Sequence, residues 1–570
     1  MLQGKSLERF TLWYDYLRTN APQSDAFCEL EALKNDDKAL EDRFYQELSF
    51  GTAGLRGVLG AGDNRMNLYT VRKATVGLAA YLCSLPGEKS VAVAYDSRLC
   101  SDVFARETAR VLAANGIRVY IYSTLHSVPQ LSFTILEKKC TAGVVITASH
   151  NPAEYNGYKV YWSHGGQVGP EVADAITACI RTAPDFAEVP GTFESALEEG
   201  KITLLGAETD EIYYTKIQTL LSAPETLRAH GGDIRIVYTP LHGSGYVPVN
   251  AIMRRIGVTE FYTVPEQAQP DGHFPTVPAP NPEYAASYTL AMKLADEKKA
   301  DLILCTDPDA DRLGCAVRKK DGSFMILTGN QIGALLLYSL LKNRQAAGKL
   351  PENGLVVRSM VSTHLADVIA RDFGAEVKEV LTGFRFISEQ IDLCEKTGAH
   401  TFLFGFEESN GYLAGMFARD KDSIVASMLL SEAAVVAHTK GRTLYDELME
   451  IYETYGFYGE GGYSYTLQGK EGIEKIRNAM EKLRRDPPET IGGEAVTDSL
   501  DFEDTGKTGL PAGNVLSYTL SSGSYLLVRP SGTEPKLKLY TGCRAGSFEE
   551  LEEKKAALMH NAQALIEARL

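Results

Sequence analysis

Along this chain, apolar runs of strand length alternate with stretches patterned at helical spacing, and one order of elements returns three times. SVAVAYDSR (90–98) reads as a buried strand, followed by a helical stretch over 101–115, a second strand candidate RVYIYS (118–123), another helical stretch and the apolar run AGVVI (142–146). The order repeats with DIRIVYTPLHGSG (233–245), a helix near 247–256, EFYTV (260–264), a helix near 284–298 and DLILCTDPDADR (301–312). It repeats again with GLVVRSMVSTH (354–364), a helix, EVKEVLTG (376–383), a helix and TFLFGFEESNGY (401–412). Strands alternating with helices of about 10–15 residues predict βαβ units with largely parallel pairing. The expected fold class is therefore α/β, with three related α/β/α domains built on mixed, largely parallel sheets. From about residue 456 the order breaks, and SYLLV and KLKLYTG flank VRPSGTEP (528–535), which predicts a fourth, distinct α+β domain. Residues 1–49 carry aromatic and leucine positions at helical spacing among many charges and read as an amphipathic helical extension.

Length agrees with this division, because 570 residues at about 150 per domain suggest about four domains. The expected units are 1–205 (extension and first α/β domain), 206–320, 321–455 and 456–570. With 44% hydrophobic and 23% charged residues the composition is that of a soluble globular protein, and a net charge of −16 argues against a nucleic-acid surface. The nine cysteines form no CxxC pair, so neither a zinc site nor a disulfide framework is expected, and a reducing cytoplasm fits best. The N-terminus lacks the apolar core of a signal peptide. IVASMLLSEAAVVA (424–437) is interrupted by Ser431 and Glu432 and falls short of the roughly 20 residues that span a bilayer, so no membrane segment is expected.

The chemistry lies in the loops after the third strand of each repeat, where ligand sites of open α/β sheets occur. In TASHNP (147–152), Ser149 stands beside His150 where the chain leaves a buried strand, with Asn151 and Pro152 suited to the turn. In DPDADR the carboxylates of Asp307, Asp309 and Asp311 crowd five residues. A hard divalent cation such as Mg²⁺ is the simplest reason to place three acids together, while Arg312 can fork onto a phosphate. GFEESNGY offers Glu407 and Ser409 two residues apart, able to bind neighbouring sugar hydroxyls. In RPSGTEP, Arg529, Ser531 and Thr533 can surround a dianion while Gly532 lets backbone N–H groups approach it. FGTAGLRG (50–57) sets Arg56 among glycines, and NGYKVY (156–161) places Lys159 shortly after the serine, where an ammonium could stabilise transferring charge or move a proton. A nucleophile, a cation cage, a polyol reader and a separate phosphate clamp together point to phosphoryl transfer. No ATP loop of a kinase is present, so the expected donor is a phosphate carried on Ser149.

With TASHNP, DPDADR, GFEESNGY and RPSGTEP in this order, the chain from about residue 45 resembles the α-D-phosphohexomutase superfamily, which includes phosphoglucomutases and phosphomannomutases. The resemblance implies four domains around a central cleft, a phosphorylated Ser149, and Mg²⁺ held by Asp307, Asp309, Asp311 and the serine's phosphate. It implies a small phosphosugar substrate that becomes a hexose 1,6-bisphosphate, reorients, and returns its other phosphate to Ser149. Glucose 1,6-bisphosphate is then the implied intermediate and activator. Arg56, His150 and Lys159 match positions near the transferring phosphate, and Glu407 and Ser409 match the sugar-contacting pair. TGFR (382–385) and RDKD (419–422) resemble the remaining cleft segments, which makes Thr382, Gly383, Arg385, Arg419 and Lys421 expected substrate contacts.

The sugar loop reads EESNG rather than the EMSGH type of the bifunctional phosphomannomutase/phosphoglucomutases. With the helical extension, this resembles the longer phosphoglucomutase subgroup that also contains phosphopentomutases. Glucose phosphate is the first expectation for substrate, with pentose and mannose phosphates as alternatives and a sugar phosphatase as a reading from another class.

Overall fold

In the computed structural model, residues 2–52, 54–467, 469–531 and 536–570 are described. The first sheet contains β1 (Leu55–Val58), β2 (Ser90–Tyr95), β3 (Arg118–Tyr122), β4 (Ala142–Ile146), β5 (Tyr155–Trp162) and β6 (Ile202–Leu205), in the order β1-β5-β4-β2-β3-β6. The second contains β7 (Ile236–Thr239), β8 (Phe261–Thr263), β9 (Leu302–Thr306), β10 (Leu313–Arg318) and β11 (Phe324–Ile326), in the order β11-β10-β9-β7-β8. The third contains β12 (Gly354–Ser359), β13 (Glu376–Val380), β14 (Thr401–Glu407) and β15 (Gly411–Ala414), in the order β13-β12-β14-β15.

One topology underlies all three sheets. The first strand of each repeat, β2, β7 or β12, lies between parallel partners formed by the second and third. The third strand, β4, β9 or β14, then turns back into an antiparallel neighbour. These central strands are apolar because helices cover both faces, and β4, β7 and β9 are buried at every position. The tight reversal after each third strand is where the three chemically distinctive loops sit.

β11 carries the second sheet past residue 320, where a domain break was expected. The segment around that position is a hairpin turn, in which Lys319 N–H donates to Ser323 O at 2.8 Å and Asp321 accepts from Ser323 N–H at 2.9 Å. The fourth domain is a sheet of β16 (Phe457–Thr466), β17 (Thr490–Ile491), β18 (Glu494–Asp501), β19 (Leu516–Leu520), β20 (Tyr525–Pro530) and β21 (Lys536–Ala545). Its order is β16-β21-β20-β19-β18-β17, all antiparallel, with two long helices, Gly469–Arg485 and Phe548–Glu567.

The apolar segment at 424–437 lies within the helix Ser423–His438, which is buried almost all round in a core shared by the second and third domains. Glu432 is tolerated there because it accepts from Ser222 N–H at 2.8 Å and Ala223 N–H at 2.7 Å. Among the described residues, no helix is long and apolar enough to cross a membrane.

The extension folds as α1 (Gly4–Asn20), α2 (Asp25–Leu33) and α3 (Asp37–Phe44). Trp13, 1% exposed, joins Phe44, Tyr69 and Phe186 in an edge-on aromatic cluster, and its Nε1–H donates to Asp63 at 2.9 Å. Arg9 bridges Asp63 at 2.6 Å and Asp185 at 2.7 Å. The three helices therefore brace the loop that follows β1, the strand bearing Arg56. Trp13→Ala should destabilise the first domain by about 3–5 kcal/mol, seen as an earlier first transition in thermal unfolding followed by tryptophan-independent circular dichroism.

Candidate active site

Ser149 follows the buried strand β4 in the left-handed region, with φ +53°. That conformation is disfavoured for a residue with a Cβ and is found chiefly where surrounding contacts enforce it, often at functional sites. Here Ser149 N–H donates to Thr147 Oγ1 at 2.8 Å, and Asn151 N–H closes a turn on Ala148 O at 3.2 Å. Ser149 Oγ donates to Asp307 Oδ2 at 2.9 Å and lies 3.1 Å from His150 Nδ1. Burial, reinforced by Arg312 and Arg56, depresses the His150 pKa well below the usual imidazole value, so the ring is neutral near pH 7. Arg56 stands on β1, its Nη1 donating to Asn151 Oδ1 at 3.3 Å. Gly54 allows this strand to approach β5, because a Cβ there would sit 2.0 Å from Tyr158 O.

Asp307, Asp309 and Asp311 are 0, 0 and 2% exposed, and each offers an oxygen lying within 4.8 Å of the others. Burial, then the neighbouring carboxylates, raises the pKa of Asp307 well above the carboxylate range, and burial with Asp309 also raises Asp311. Burial opposes ionisation of Asp309 too, but the Lys159 ammonium, 3.1 Å from its Oδ2, holds it below the usual range. On the opposite side, Lys421 Nζ reaches Asp311 Oδ2 at 3.1 Å. Even so, Asp309 Oδ1 and Asp311 Oδ1 are buried and have no hydrogen-bond partner among the described residues. Buried acceptors left unsatisfied in a crowded acidic loop are what a hard divalent cation would complete.

The loop is held on every side. Ser244 N–H and Oγ both donate to Pro308 O at 2.8 Å, and Gly243 packs so closely that a Cβ would lie 2.4 Å from Pro308 Cα. Val128 N–H, from the first domain, donates to Asp309 O at 3.0 Å, and Ser423 Oγ, from the third, donates to Ala310 O at 2.6 Å.

Glu407, at the end of β14, accepts from Gly383 N–H at 2.7 Å. Arg312 Nη1 donates to Ser409 O at 3.0 Å, and Asn410 is hitched to Leu313 by two hydrogen bonds, 3.0 and 3.1 Å. Thr382 Oγ1 and Arg385 Nη1 nearby are buried and find no hydrogen-bond partner among the described residues. From the fourth domain, Arg529 bonds the Tyr540 hydroxyl, and Lys538 and Tyr540 come close enough to Glu408 to interact electrostatically. Burial and Glu407 push the Glu408 pKa up to about 7. Ser531 N–H donates to Lys536 O at 2.8 Å; Gly532 and Thr533 lie outside the described residues.

The three α/β domains match the family models for phosphoglucomutase/phosphomannomutase alpha/beta/alpha domains I, II and III over residues 47–185, 211–322 and 328–455. A phosphoglucomutase of Staphylococcus saprophyticus is 37% identical over 521 residues, spanning 89% of this chain and 92% of that protein. The chain belongs to the phosphoglucomutase/phosphomannomutase family. A Staphylococcus aureus phosphoglucomutase is 36% identical over 538 residues, 92% of this chain and 95% of that protein. The open form of parafusin, a phosphoglucomutase from Paramecium, shares the fold with a TM-score of 0.68 at 18% identity, covering 92% of this chain and 95% of that one.

Within this family fold, Arg419 does not reach the cleft as expected from RDKD. Its side chain is 1% exposed and turned back onto Met416 O at 2.5 Å, Asp392 at 3.3 Å and Glu395 at 2.6 Å, where it ties the helix Phe384–Thr397 to the loop. Conversely, Arg98, Ser244, Glu408 and Asn410 contact site residues and were not expected. PLHGSG and YDSR each follow the first strand of a repeat, so their position at a strand end is the signal that could have found Ser244 and Arg98.

Divalent-cation binding should release protons, because Asp307 and Asp311 hold theirs at higher pH than ordinary carboxyls. Mg²⁺ affinity measured by calorimetry should accordingly rise with pH through the acid range. Asp309→Asn should weaken that affinity by more than about tenfold, since second-shell changes alone cost about 10–100-fold; an unchanged isotherm would place the cation elsewhere.

Proposed function

We propose that this chain is a phosphoglucomutase that interconverts α-D-glucose 1-phosphate and glucose 6-phosphate by intramolecular phosphoryl transfer, an isomerase reaction. The single observation that carries the reading is the hydrogen bond from Ser149 Oγ to Asp307, which embeds a nucleophile in a buried three-carboxylate site. In the resting enzyme Ser149 would carry a phosphate. The phosphorus–oxygen bond to Ser149 breaks as one to a substrate hydroxyl forms, and in the net balance the hydroxyl's proton passes to Ser149 Oγ. The product of this half-reaction is glucose 1,6-bisphosphate, which reorients and returns its other phosphate by the reverse steps.

The residues divide the work by position. Lys159 and Arg56 approach the nucleophile loop from neighbouring strands and would offset charge on the moving phosphoryl group. His150 Nδ1 lies 3.1 Å from Ser149 Oγ and would stand beside the phosphate carried there. Asp307, Asp309 and Asp311, with the phosphate on Ser149, would hold Mg²⁺, which when bound neutralises transferring charge. Glu407 and Ser409 would bind sugar hydroxyls, with Thr382, Gly383, Arg385, Lys421 and Arg312 along the same wall. Arg529, Ser531, Gly532 and Thr533 would grip the phosphate that is not being transferred, in either orientation of the sugar.

Names of the Staphylococcus relatives favour glucose phosphates over mannose or pentose phosphates. The free thiols of Cys28, Cys83 and Cys100 at the surface suit a reducing compartment, and we place the enzyme in the cytoplasm.

With Mg²⁺ and trace glucose 1,6-bisphosphate, the protein should convert glucose 1-phosphate to glucose 6-phosphate without releasing phosphate, and Ser149→Ala should abolish this while melting normally. Phosphate release without isomerisation would instead indicate a phosphatase. Arg529→Ala should chiefly raise KM for glucose 1-phosphate, by about tenfold or more if it removes a charge-assisted bond worth about 1.5–3 kcal/mol.

A further inference from the structure

Arg98 stands at the turn after β2 and meets the nucleophile loop through its main-chain carbonyls rather than through the Ser149 side chain. The Arg98 side chain is wholly buried. Nη2 donates to Ser149 O at 2.6 Å and to Asn151 O, while Nη1 donates to Pro152 O at 2.8 Å and Tyr155 O at 3.0 Å. Four carbonyls of the segment 149–155 thus converge on one guanidinium.

The guanidinium is itself held. Asp96 Oδ2 lies 3.5 Å from Nε, and Asp96 Oδ1 accepts from Arg98 N–H at 2.9 Å and from Ser101 Oγ at 2.8 Å. From the second domain the Phe274 ring covers the guanidinium at 5.0 Å. Gly272 packs against the same turn, where a Cβ would lie 2.5 Å from Leu99 N.

This geometry bears directly on Ser149. With the carbonyls of Ser149, Asn151 and Pro152 gathered inward, the peptide planes around Ser149 lose the freedom to relax from φ +53°. The side chain is then directed at Asp307 rather than at the loop's own backbone. Lysine could supply the charge but not the planar fork that serves four acceptors.

We propose that Arg98 is a positioning residue for phosphoryl transfer, gathering the carbonyls of the nucleophile loop so that Ser149 Oγ faces the aspartate loop in both half-reactions. The proposal rests on Ser149 being the phosphate carrier. A residue that only filled space would affect folding; this one should affect transfer in folded protein.

The test compares wild type, Arg98→Lys and Arg98→Ala for kcat and KM with glucose 1-phosphate, and for the rate at which glucose 1,6-bisphosphate phosphorylates Ser149, read by intact mass. Arg98→Lys should lose about a hundredfold in kcat, the cost of a displacement of about 1 Å in a reacting group, with KM and the melting curve unchanged. In Arg98→Ala, added methylguanidinium should restore part of the lost rate. Wild-type kcat in Arg98→Lys, a kcat loss equal to the loss of folded protein, or no response to methylguanidinium in folded Arg98→Ala would each overturn the proposal. If wild type phosphorylates Ser149 but does not isomerise glucose phosphate, the substrate assignment fails while the phosphorylation rates of the variants still decide the role of Arg98.

Discussion

Three carboxylates buried side by side in the loop after β9 are the constraint around which the molecule is arranged. Two like unit charges about 4 Å apart repel by about 4 kcal/mol at an effective dielectric constant of about 20, and burial adds the cost of lost hydration. The chain offsets this from both flanks, with Lys159 of the first domain on Asp309 and Lys421 of the third on Asp311. The balancing charges come from different domains, so the acidic loop also acts as the fastener between them. Its backbone follows the same logic, with Asp309 O and Ala310 O taken by donors from the first and third domains.

The repeated topology makes this convergence possible. Each α/β domain ends its third strand in a tight reversal before an antiparallel neighbour, and that reversal lies at the carboxyl edge of the sheet. Three domains with one architecture therefore present three loops of different chemistry to one place: the Ser149 hydroxyl, the carboxylates of Asp307, Asp309 and Asp311, and the Glu407–Asn410 turn. The fourth domain joins through a shared apolar seam, where Phe502, Val515, Tyr525 and Leu527 pack with Val357, Val380 and Ile387. Its Lys538 and Tyr540 interact with Glu408, bringing a carboxyl whose pKa is pushed up to about 7 close to the Tyr540–Arg529 pair.

Much of the candidate site was legible because its residues are contiguous and chemically unusual. Asp307, Asp309 and Asp311 stand out in any reading of DPDADR, and Ser149 marks itself by following five apolar residues with only Thr147 and Ala148 between. Lys159 was legible from its nearness in sequence to Ser149, and the hairpin of β4 and β5 converts that nearness into a place beside Asp309. Arg419 misled because RDKD looks uniformly polar, yet it lies in an irregular bend just before the Ser423–His438 helix, where residues two apart need not share a face as they would on a strand. Lys421 enters the cleft while Arg419 turns into Asp392 and Glu395. Arg98 escaped notice for the converse reason: its acceptors are main-chain carbonyls, which leave no trace in side-chain identity.

By itself, the sequence determined the repeated α/β order, the break to a different domain near residue 456 and the residue types of the loops, because periodicity and composition are local properties of the chain. Only the tertiary structure decided which charges neutralise which. Asp309 is paired with Lys159 across 150 positions and Ser149 with Asp307 across 158. It also decided that the Ser423–His438 helix lies in a core between two domains. Such pairings depend on how sheets of the same topology pack against one another, and long-range contact and exclusion of water are not encoded in any single window of residues.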